Sequence, residues 1–463
     1  MTHRGRTFRT RFPSSGRITI PLLAATIVAI APADAAAQRR DPLAGYVREA
    51  VENNLALKQE RFALERSEAA EREARGLALP TLAFDTRYSQ TTGGLNLGDL
   101  VNPVYGALNQ ITGSSQFPTD VDARLPLAQE TRLRLTQPLF APAVREGRRV
   151  RQGLRDLQGA ALAAATRQLA ADVQTAYLGY ARASRMVELY RATLPLLDEN
   201  LRVSESLVRN GKATPDAVLR ARAGRSETEQ ALAAAEEGAE AARRQFNFLV
   251  GRELEAPLEV HADSLFAAPV TVTVDEAVVR ARQAREELAQ TDAGIRAAEA
   301  GERLAKSASL PTVSLALDYG FQGDDYRPDA DEDFAAASVV VQWSAFNGGQ
   351  TAARRRQASA EAGLARARRE EVARQVELQV RQAFHAAEVA RAAIATAEDR
   401  VAAARRGWQI VARKYEEGMA PQIELLDART TLTSAELNLI VTRYGYAARR
   451  VELERAAALR DLN

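Results

Sequence analysis

The chain has 463 residues, and its 62 basic and 60 acidic side chains leave a formal net charge of +2. It has no cysteine and three histidines, which excludes disulfides, thiolate metal sites and thiol catalysis and argues against a histidine-rich metal site or a Ser-His-Asp triad. A nearly neutral chain is also a poor nucleic-acid binder. The abundance of alanine, leucine, glutamate and arginine is typical of long helices.

The first 37 residues are organised like a cleavable secretory signal peptide. Residues 1–17 carry five arginines and no acid, residues 18–30 are largely apolar, and three alanines at 35–37 offer a cleavage site of small residues. The alternative is an N-terminal membrane anchor, but roughly 13 apolar residues are too few for a spanning helix, which needs about 20. We therefore expect the protein to be exported.

Residues 38–250 and 273–463 are predicted to be two copies of one structural repeat, joined by residues 251–272. Each copy is expected to form a helix, two strands, a long helix and a returning helix. The predicted strands lie at about 80–90 and 131–140 in the first copy and at about 311–321 and 336–346 in the second. The predicted hairpin tips lie at about 210–216 and about 417–422.

Each repeat begins with a predicted helix start. The first opens with Asp41 and Pro42, an N-cap followed by proline, and the second with Thr273 and Glu276, which have the spacing of a capping box.

The long helices are predicted from apolar residues that recur every seven positions, with a second row three residues later. In the second repeat this seam runs from Ala373 to Tyr415, and in the first from Val173 to Val208. A helix over about residues 142–209 would measure roughly 100 Å at 1.5 Å per residue, longer than the core of a compact domain. Pro195 lies within it and is expected to kink it, because proline lacks the backbone N–H.

Each long helix is followed by a turn that contains a glycine and a proline, Gly211 and Pro215 in the first repeat and Gly418 and Pro421 in the second. Glycine suits the residue just after a helix end, and proline prevents the helix from simply continuing. Both turns are therefore predicted to be the tips of helical hairpins.

The predicted strands alternate apolar and polar residues. This pattern fits transmembrane β-strands, apolar toward lipid and polar toward a lumen, but also a soluble antiparallel sheet with one wet face. Four strands cannot close a barrel, so membrane strands here would require several chains to share one barrel. The candidate lipid-facing residues are Leu82, Phe84, Leu133, Leu135, Leu315, Leu317 and Val341.

Taken together, these features resemble the outer-membrane efflux protein family, the TolC-like channel-tunnels, over essentially residues 41–460. The resemblance rests on the strand entries at Leu79-Pro80 and Leu310-Pro311, the strand-to-helix segments 137–140 and 342–349, and the tip segment 415–429. It implies a mainly α fold with a small β part. Three chains would form one twelve-stranded β-barrel, four strands from each, above a periplasmic α-barrel of long coiled-coil hairpins. One departure is Ala141-Pro142-Ala143, where the family often has a glycine pair.

The resemblance implies a passive export duct in the outer membrane, reaching into the periplasm, and neither an enzyme nor a cofactor-binding protein. Its implied partners are two further copies of the chain, a periplasmic adaptor (membrane fusion) protein, an inner-membrane RND or ABC transporter, and outer-membrane lipid, but no nucleic acid. Such a duct would serve tripartite efflux or type I secretion. The alternatives are a periplasmic coiled-coil adaptor, which would need more strands around a single hairpin, and a structural coiled-coil rod, which leaves the paired strands unexplained.

Two acids are candidates for a periplasmic gate. Glu424 and Asp427 follow Gly418 by six and nine residues and share one face of a predicted helix. In the family the matching positions hold acids that point into the narrow periplasmic end, where threefold symmetry would repeat them as rings that attract cations. The alternative is that they are ordinary exposed acids. In the first hairpin, Ala217 and Arg220 stand at these positions.

The tips are the candidate adaptor-docking sites, because small residues there let partner helices approach closely. The candidate docking residues are Gly211, Lys212, Ala213, Gly418, Met419 and Ala420.

Three other features have an ordinary and a functional interpretation. The acidic run at 324–333 is either a solvated loop or a cation site, although it lacks the spacing of an EF-hand. The segment from about Thr91 to Glu130 is either a flexible surface loop or a partial lid. His261 and His385 are isolated, and we expect structural roles for both.

Overall fold

The computed structural model describes residues 42–90, 95–122, 124–125, 128–260, 271–323 and 333–460. The predicted signal peptide, Asp41, His261 and residues 324–332 of the acidic run lie outside the described residues. Within the described ranges, no helix combines the length and the apolar character needed to cross a membrane.

The first half of the chain contains five helices and four strands in the described ranges. They are α1 (Pro42–Asn53), α2 (Leu55–Gly76), β1 (Thr81–Tyr88), β2 (Leu95–Asn96), α3 (Gly98–Thr112), β3 (Arg124–Leu125), β4 (Gln129–Phe140), α4 (Pro142–Arg209) and α5 (Pro215–Val250).

The second half repeats most of this order. Its elements are α6 (Val274–Ala284), α7 (Glu286–Ser307), β5 (Thr312–Gly323), β6 (Asp333–Gln342), α8 (Gln350–Glu416) and α9 (Gln422–Ala456). The predicted fold class, mainly helical with a small sheet and long coiled-coil hairpins, is confirmed.

The long helices α4 and α8 have 68 and 67 residues, and each packs against the helix that returns from its tip. The helix α4 continues through Pro195 to Arg209. In α8 the buried residues Val376, Val380, Ala383 and Ala387 are spaced by four, three and four, which is the spacing of a coiled-coil seam. Packing along such a seam explains why helices this long are stable without a compact core.

The opening helix of each repeat, predicted as one helix, is divided in two. In the first repeat Asn54 separates α1 from α2, and its side chain accepts a hydrogen bond from the N–H of Leu57 over 3.0 Å. In the second repeat Arg285 separates α6 from α7. The capping box that begins α6 is present, since Thr273 and Glu276 each bond the other's backbone N–H through their side chains.

Two hydrophobic cores occupy related positions in the two repeats. In the first, Tyr177 and Phe246 are fully buried between α1, α4 and α5, and Tyr46 meets Phe246 edge to face at 5.2 Å. In the second, Val380 and Leu453 lie with residues of α6 at the end of the α8–α9 hairpin. Both cores fix the short opening helices on the hairpins.

A four-stranded antiparallel sheet joins the repeats in the order β1-β4-β5-β6. Each repeat contributes one hairpin, β1 with β4 and β5 with β6, and the pairing of β4 with β5 connects them. The strands β1 and β6 are the edges of this sheet. The strand β6 ends at Gln342, earlier than predicted, because residues 343–349 turn toward α8 through two glycines with left-handed backbone, φ +63° at Gly348 and +84° at Gly349.

The connection between β1 and β4 is not a plain loop. It contains the two-stranded sheet β2–β3 and the 15-residue helix α3. The sequence analysis did not predict these elements within residues 95–122. Side-chain hydrogen bonds between residues far apart in the segment order it, and such contacts cannot be recognised from composition.

Candidate functional site

The two faces of the four-stranded sheet differ sharply in polarity. Residues directly opposite one another in neighbouring strands share a face. Phe84 lies opposite Leu133, Leu135 opposite Leu317, and Leu315 opposite Val339. By the same register, one face carries all seven candidate lipid-facing residues: Leu82, Phe84, Leu133, Leu135, Leu315, Leu317 and Val341.

The opposite face carries ion pairs between strands. Arg134 and Asp318 form two parallel hydrogen bonds, Nε to Oδ1 over 2.6 Å and Nη2 to Oδ2 over 3.0 Å. The Glu130 carboxylate accepts from Arg87 over 3.0 Å and from Arg132 over 2.8 Å. The sheet is thus mainly apolar on one side and carries paired charges on the other.

The two hairpin tips have the same backbone geometry. Gly211 and Gly418 adopt φ values of +68° and +75°. The next residue of each tip bonds back to the long helix, Lys212 N–H to Leu207 O over 2.8 Å and Met419 N–H to Lys414 O over 2.7 Å. This is a Schellman-type helix end, which requires the left-handed glycine.

The tip residues differ in accessibility. Gly211, Lys212 and Gly418 are exposed and Ala213 is half-buried, while Met419 is 66% exposed. Ala420 is only 9% exposed, so its side chain offers little surface to a partner. Met419 therefore offers the largest apolar surface at the second tip.

The candidate gate acids lie on the first turns of α9. Glu424 and Asp427 are both exposed, and neither carboxylate forms an ion pair within the described part of the chain. Two other side chains of α9, which sequence reasoning missed, contact α4. Gln422 donates to Ser204 Oγ over 2.6 Å, and Arg429 donates to Thr193 Oγ1 over 3.1 Å.

These contacts orient α9. Gln422 and Arg429 are seven residues apart and therefore share the face that meets α4. At about 100° per residue, Glu424 and Asp427 lie roughly 140–200° away from Gln422 around the helix, which is the side facing away from α4. The seven-residue spacing of the two polar residues was the one signal in the sequence that could have revealed this contact.

Arg429 is the most enclosed charge near the tips. Its guanidinium lies 5.7 Å from the centre of the Trp408 ring, and burial lowers its pKa from the ordinary arginine value. A cavity of about 250 Å³ lies beside it, lined mainly by apolar residues of α4, α8 and α9. The two hairpins of one chain therefore meet near their tips through a few polar contacts around a small void.

The histidines and acids of the described ranges do not form a metal site. No group of three or more His, Asp or Glu side chains there is placed to hold a metal ion. His385 is exposed, with Nδ1 3.4 Å from the Glu388 carboxylate.

Comparison with known proteins finds similarity to outer-membrane channel proteins. Residues 277–459 match the family model described as outer membrane efflux protein. The chain is also similar to the outer membrane efflux protein BepC of Brucella suis biovar 1 (strain 1330), with 24% identity over 269 residues, or 57% of this chain. That alignment spans 58% of the relative's own length.

Solved channel structures have the same fold. The chain superposes on CusC with a TM-score of 0.74 at 17% identity, covering 90% of this chain and 91% of the other. It superposes on the outer membrane protein VceC of Vibrio cholerae with a TM-score of 0.74 at 18% identity, covering 90% and 96%. For the CmeC outer membrane channel of Campylobacter jejuni the TM-score is 0.75 at 15% identity, covering 90% and 85%.

At such identities the superpositions establish the fold, while the family model adds sequence evidence for the second repeat. The resemblance to the outer-membrane efflux protein family is therefore confirmed, in sequence over residues 277–459 and in fold over nine-tenths of the chain.

Proposed function

We propose that this protein is an outer-membrane channel-tunnel, a passive duct from the periplasm to the outside in a tripartite efflux or type I secretion system. Three copies would form the channel, a periplasmic adaptor would hold the hairpin tips, and an inner-membrane RND or ABC transporter would supply the energy. The observation that carries the proposal is the two-faced sheet, whose edges β1 and β6 have no neighbour within the described chain.

The internal duplication indicates how the copies join. Thr81 of β1 and Thr312 of β5 are equivalent, because each follows the Leu-Pro strand entry of its repeat. Thr81 lies opposite Thr136 of β4, and Thr312 lies opposite Gln342 of β6. Thus β1 corresponds to β5 and β4 to β6. Since β4 pairs with β5 inside one chain, β6 is expected to pair with β1 of the next copy. Three copies would then close twelve strands into a barrel without a free edge, as the bilayer requires.

The same correspondence gives a register for the contact between copies. Leu135 lies opposite Leu317 within the chain. Val341 of β6 is the position equivalent to Leu135, and Thr86 of β1 is the position equivalent to Leu317. Val341 is therefore expected to lie opposite Thr86 of the next copy, on the apolar face.

The helices support the same assembly. Leu157 of α4 packs toward Gly294 of α7 inside one chain. Its counterpart in α8 is Leu364, which is 62% exposed. Ala63 of α2 is the counterpart of Gly294 of α7. If α8 repeats the contact that α4 makes with α7, Leu364 would be covered by α2 of the next copy, near Ala63.

The gate and docking assignments extend this proposal. Glu424 and Asp427 face away from α4 and have no described partner, which suits carboxylates that line a passage. The exposed Met419 and Lys212 suit a surface that meets an adaptor. The fold does not favour the adaptor alternative, since the solved structures it matches are outer-membrane channels.

The experiment that tests the proposed function is fractionation followed by electrical recording. The full-length protein is expected in the outer-membrane fraction, and the purified trimer is expected to conduct ions across a planar lipid bilayer. A protein found only in the soluble periplasmic fraction would favour the adaptor alternative. A membrane-bound protein without conductance would favour the structural rod.

A further inference from the structure

The helix α3 carries an apolar stripe that nothing in the described chain covers. Leu100, Val104 and Ile111 are 73%, 55% and 81% exposed, and Ala107 is exposed between them. The steps of four, three and four residues place all four on one face of the helix, with the spacing of a helix–helix seam. In a surface helix such a face normally packs against a partner.

The other face of α3 is held firmly. Asn102 forms a pair of hydrogen bonds with the backbone of Val121, both of 2.9 Å, and Asn109 forms a similar pair with Phe117, of 2.7 and 3.0 Å. Tyr105, between the two asparagines, meets the Phe117 ring at 5.7 Å.

The helix start is equally constrained, because a Cβ on Gly98 would lie 1.7 Å from the Val121 carbonyl oxygen. These contacts, the clamp of α3, therefore fix which face of the helix packs on residues 117–121 and leave the apolar stripe on the other face.

The position of α3 in the chain indicates the partner. It follows β1, the edge strand that is expected to pair with the next copy, so the helix begins at the boundary between two copies. In a threefold assembly each α3 has two symmetry-related equivalents near the same barrel mouth. A self-complementary stripe, uncharged along its length, suits contact with copies of itself.

Lipid is a poorer partner for this face. Helices that lie on membrane surfaces usually combine an apolar face with lysine or arginine for the anionic headgroups. Residues 95–122 contain three aspartates and no lysine or arginine.

We propose that the stripe formed by Leu100, Val104, Ala107 and Ile111 packs against the α3 helices of the other two copies at the outer mouth of the barrel. This inference rests on the proposed trimer. The short helices would be marginal partners in isolation, but the barrel holds them at high effective concentration. The contact would narrow the outer opening with an uncharged collar.

Cysteine cross-linking tests the contact cleanly, because the natural chain has no cysteine. Val104→Cys is expected to give disulfide-linked dimers in trimers treated with copper–phenanthroline, since neighbouring stripes would bring two thiols together. The matched control is Gln110→Cys, which is exposed on the same helix but roughly 90° from the stripe at about 100° per residue. It is expected to cross-link several-fold less.

The mass of both variants is measured by light scattering before oxidation. Absence of trimers would refute the proposed assembly and this contact with it. Intact trimers of Val104→Cys that fail to cross-link, or that link no better than those of Gln110→Cys, would refute the contact alone. Strong quenching by spin-labelled lipid of a bimane label on the thiol of Val104→Cys would also overturn it, because the stripe would then face the membrane.

Discussion

Arg134 and Asp318, which are 184 residues apart in the chain, form a two-point ion pair across β4 and β5. The pair connects the two repeats on the charged face of the sheet. In the proposed contact between copies, Val340 of β6 and Arg87 of β1 would stand at the equivalent positions, so this ion pair would have no counterpart there. The join between repeats therefore has an ion pair that the proposed join between copies would lack.

Removing the Arg134 partner should weaken the join between repeats. Asp318→Asn is expected to lower the temperature at which trimers dissociate in detergent, because the neutral amide has one acceptor oxygen in place of two and no charge, so the two-point ion pair with Arg134 is lost. The matched control is Asp85→Asn, whose carboxylate lies 3.6 Å from Arg132 and is more exposed. Heated samples on semi-native gels measure the difference, and equal shifts for the two variants would contradict a special role for Arg134–Asp318.

Charge on the apolar face should prevent membrane assembly. Leu315→Arg is expected to cost roughly 2–4 kcal/mol if the side chain lies near the bilayer midplane, and so to reduce the yield of outer-membrane trimer. The control is Ser314→Arg, because Ser314 is next to Leu315 in β5 but lies on the charged face. It should reduce the yield of outer-membrane trimer much less. Equal yields from the two variants would show that the apolar face does not meet lipid.

Adaptor docking should depend on the exposed second tip. Met419→Asp is expected to abolish export in cells, because an unpaired carboxylate would be buried against the adaptor helices. The purified trimers should keep their mass and conductance, since Met419 is exposed in the protein itself. Met419→Leu, which keeps the apolar surface, should retain export. If the Met419→Asp variant exports at the natural rate, the adaptor does not dock on Met419.

The gate assignment makes an electrical prediction. Three copies of Glu424 and Asp427 would bring six carboxylates to one narrow passage and attract cations. Glu424→Gln combined with Asp427→Asn should reduce the cation preference, measured as reversal potential in a salt gradient. It should also weaken block by Mg²⁺ added on the periplasmic side. Glu417→Gln, an exposed acid in the tip itself, is the control. Unchanged cation selectivity in the double variant would show that these acids do not line the passage.

Periodic patterns made much of the fold predictable from the sequence. The seven-residue seams revealed the long hairpins, and the alternation around Leu82 and Leu315 revealed the strands, because both patterns reflect burial on one face. The Gly211 and Gly418 turns were recognisable for a related reason, since only glycine readily adopts the left-handed backbone that ends these helices.

The features that escaped prediction depend on contacts between distant residues. Asn54 and Arg285 divide the opening helices without any glycine or proline. Asn54 donates to Leu249 O over 2.8 Å and Arg285 to Ala456 O over 2.9 Å. The hydrogen bonds between Asn102 of α3 and the backbone of Val121 are of the same kind. The periodicity of apolar residues in a single sequence does not reveal such bonds.

The central claim is that three chains close one barrel by pairing β6 with β1 of the next copy. The most direct measurement is disulfide formation in the double variant Thr86→Cys, Val341→Cys, with Thr86→Cys, Val340→Cys as the control whose second cysteine lies on the opposite face. We predict covalent trimers on a non-reducing gel, no larger species, and little linkage in the control. Covalent products that extend beyond three chains, or equal linkage in both variants, would contradict a closed ring in this register.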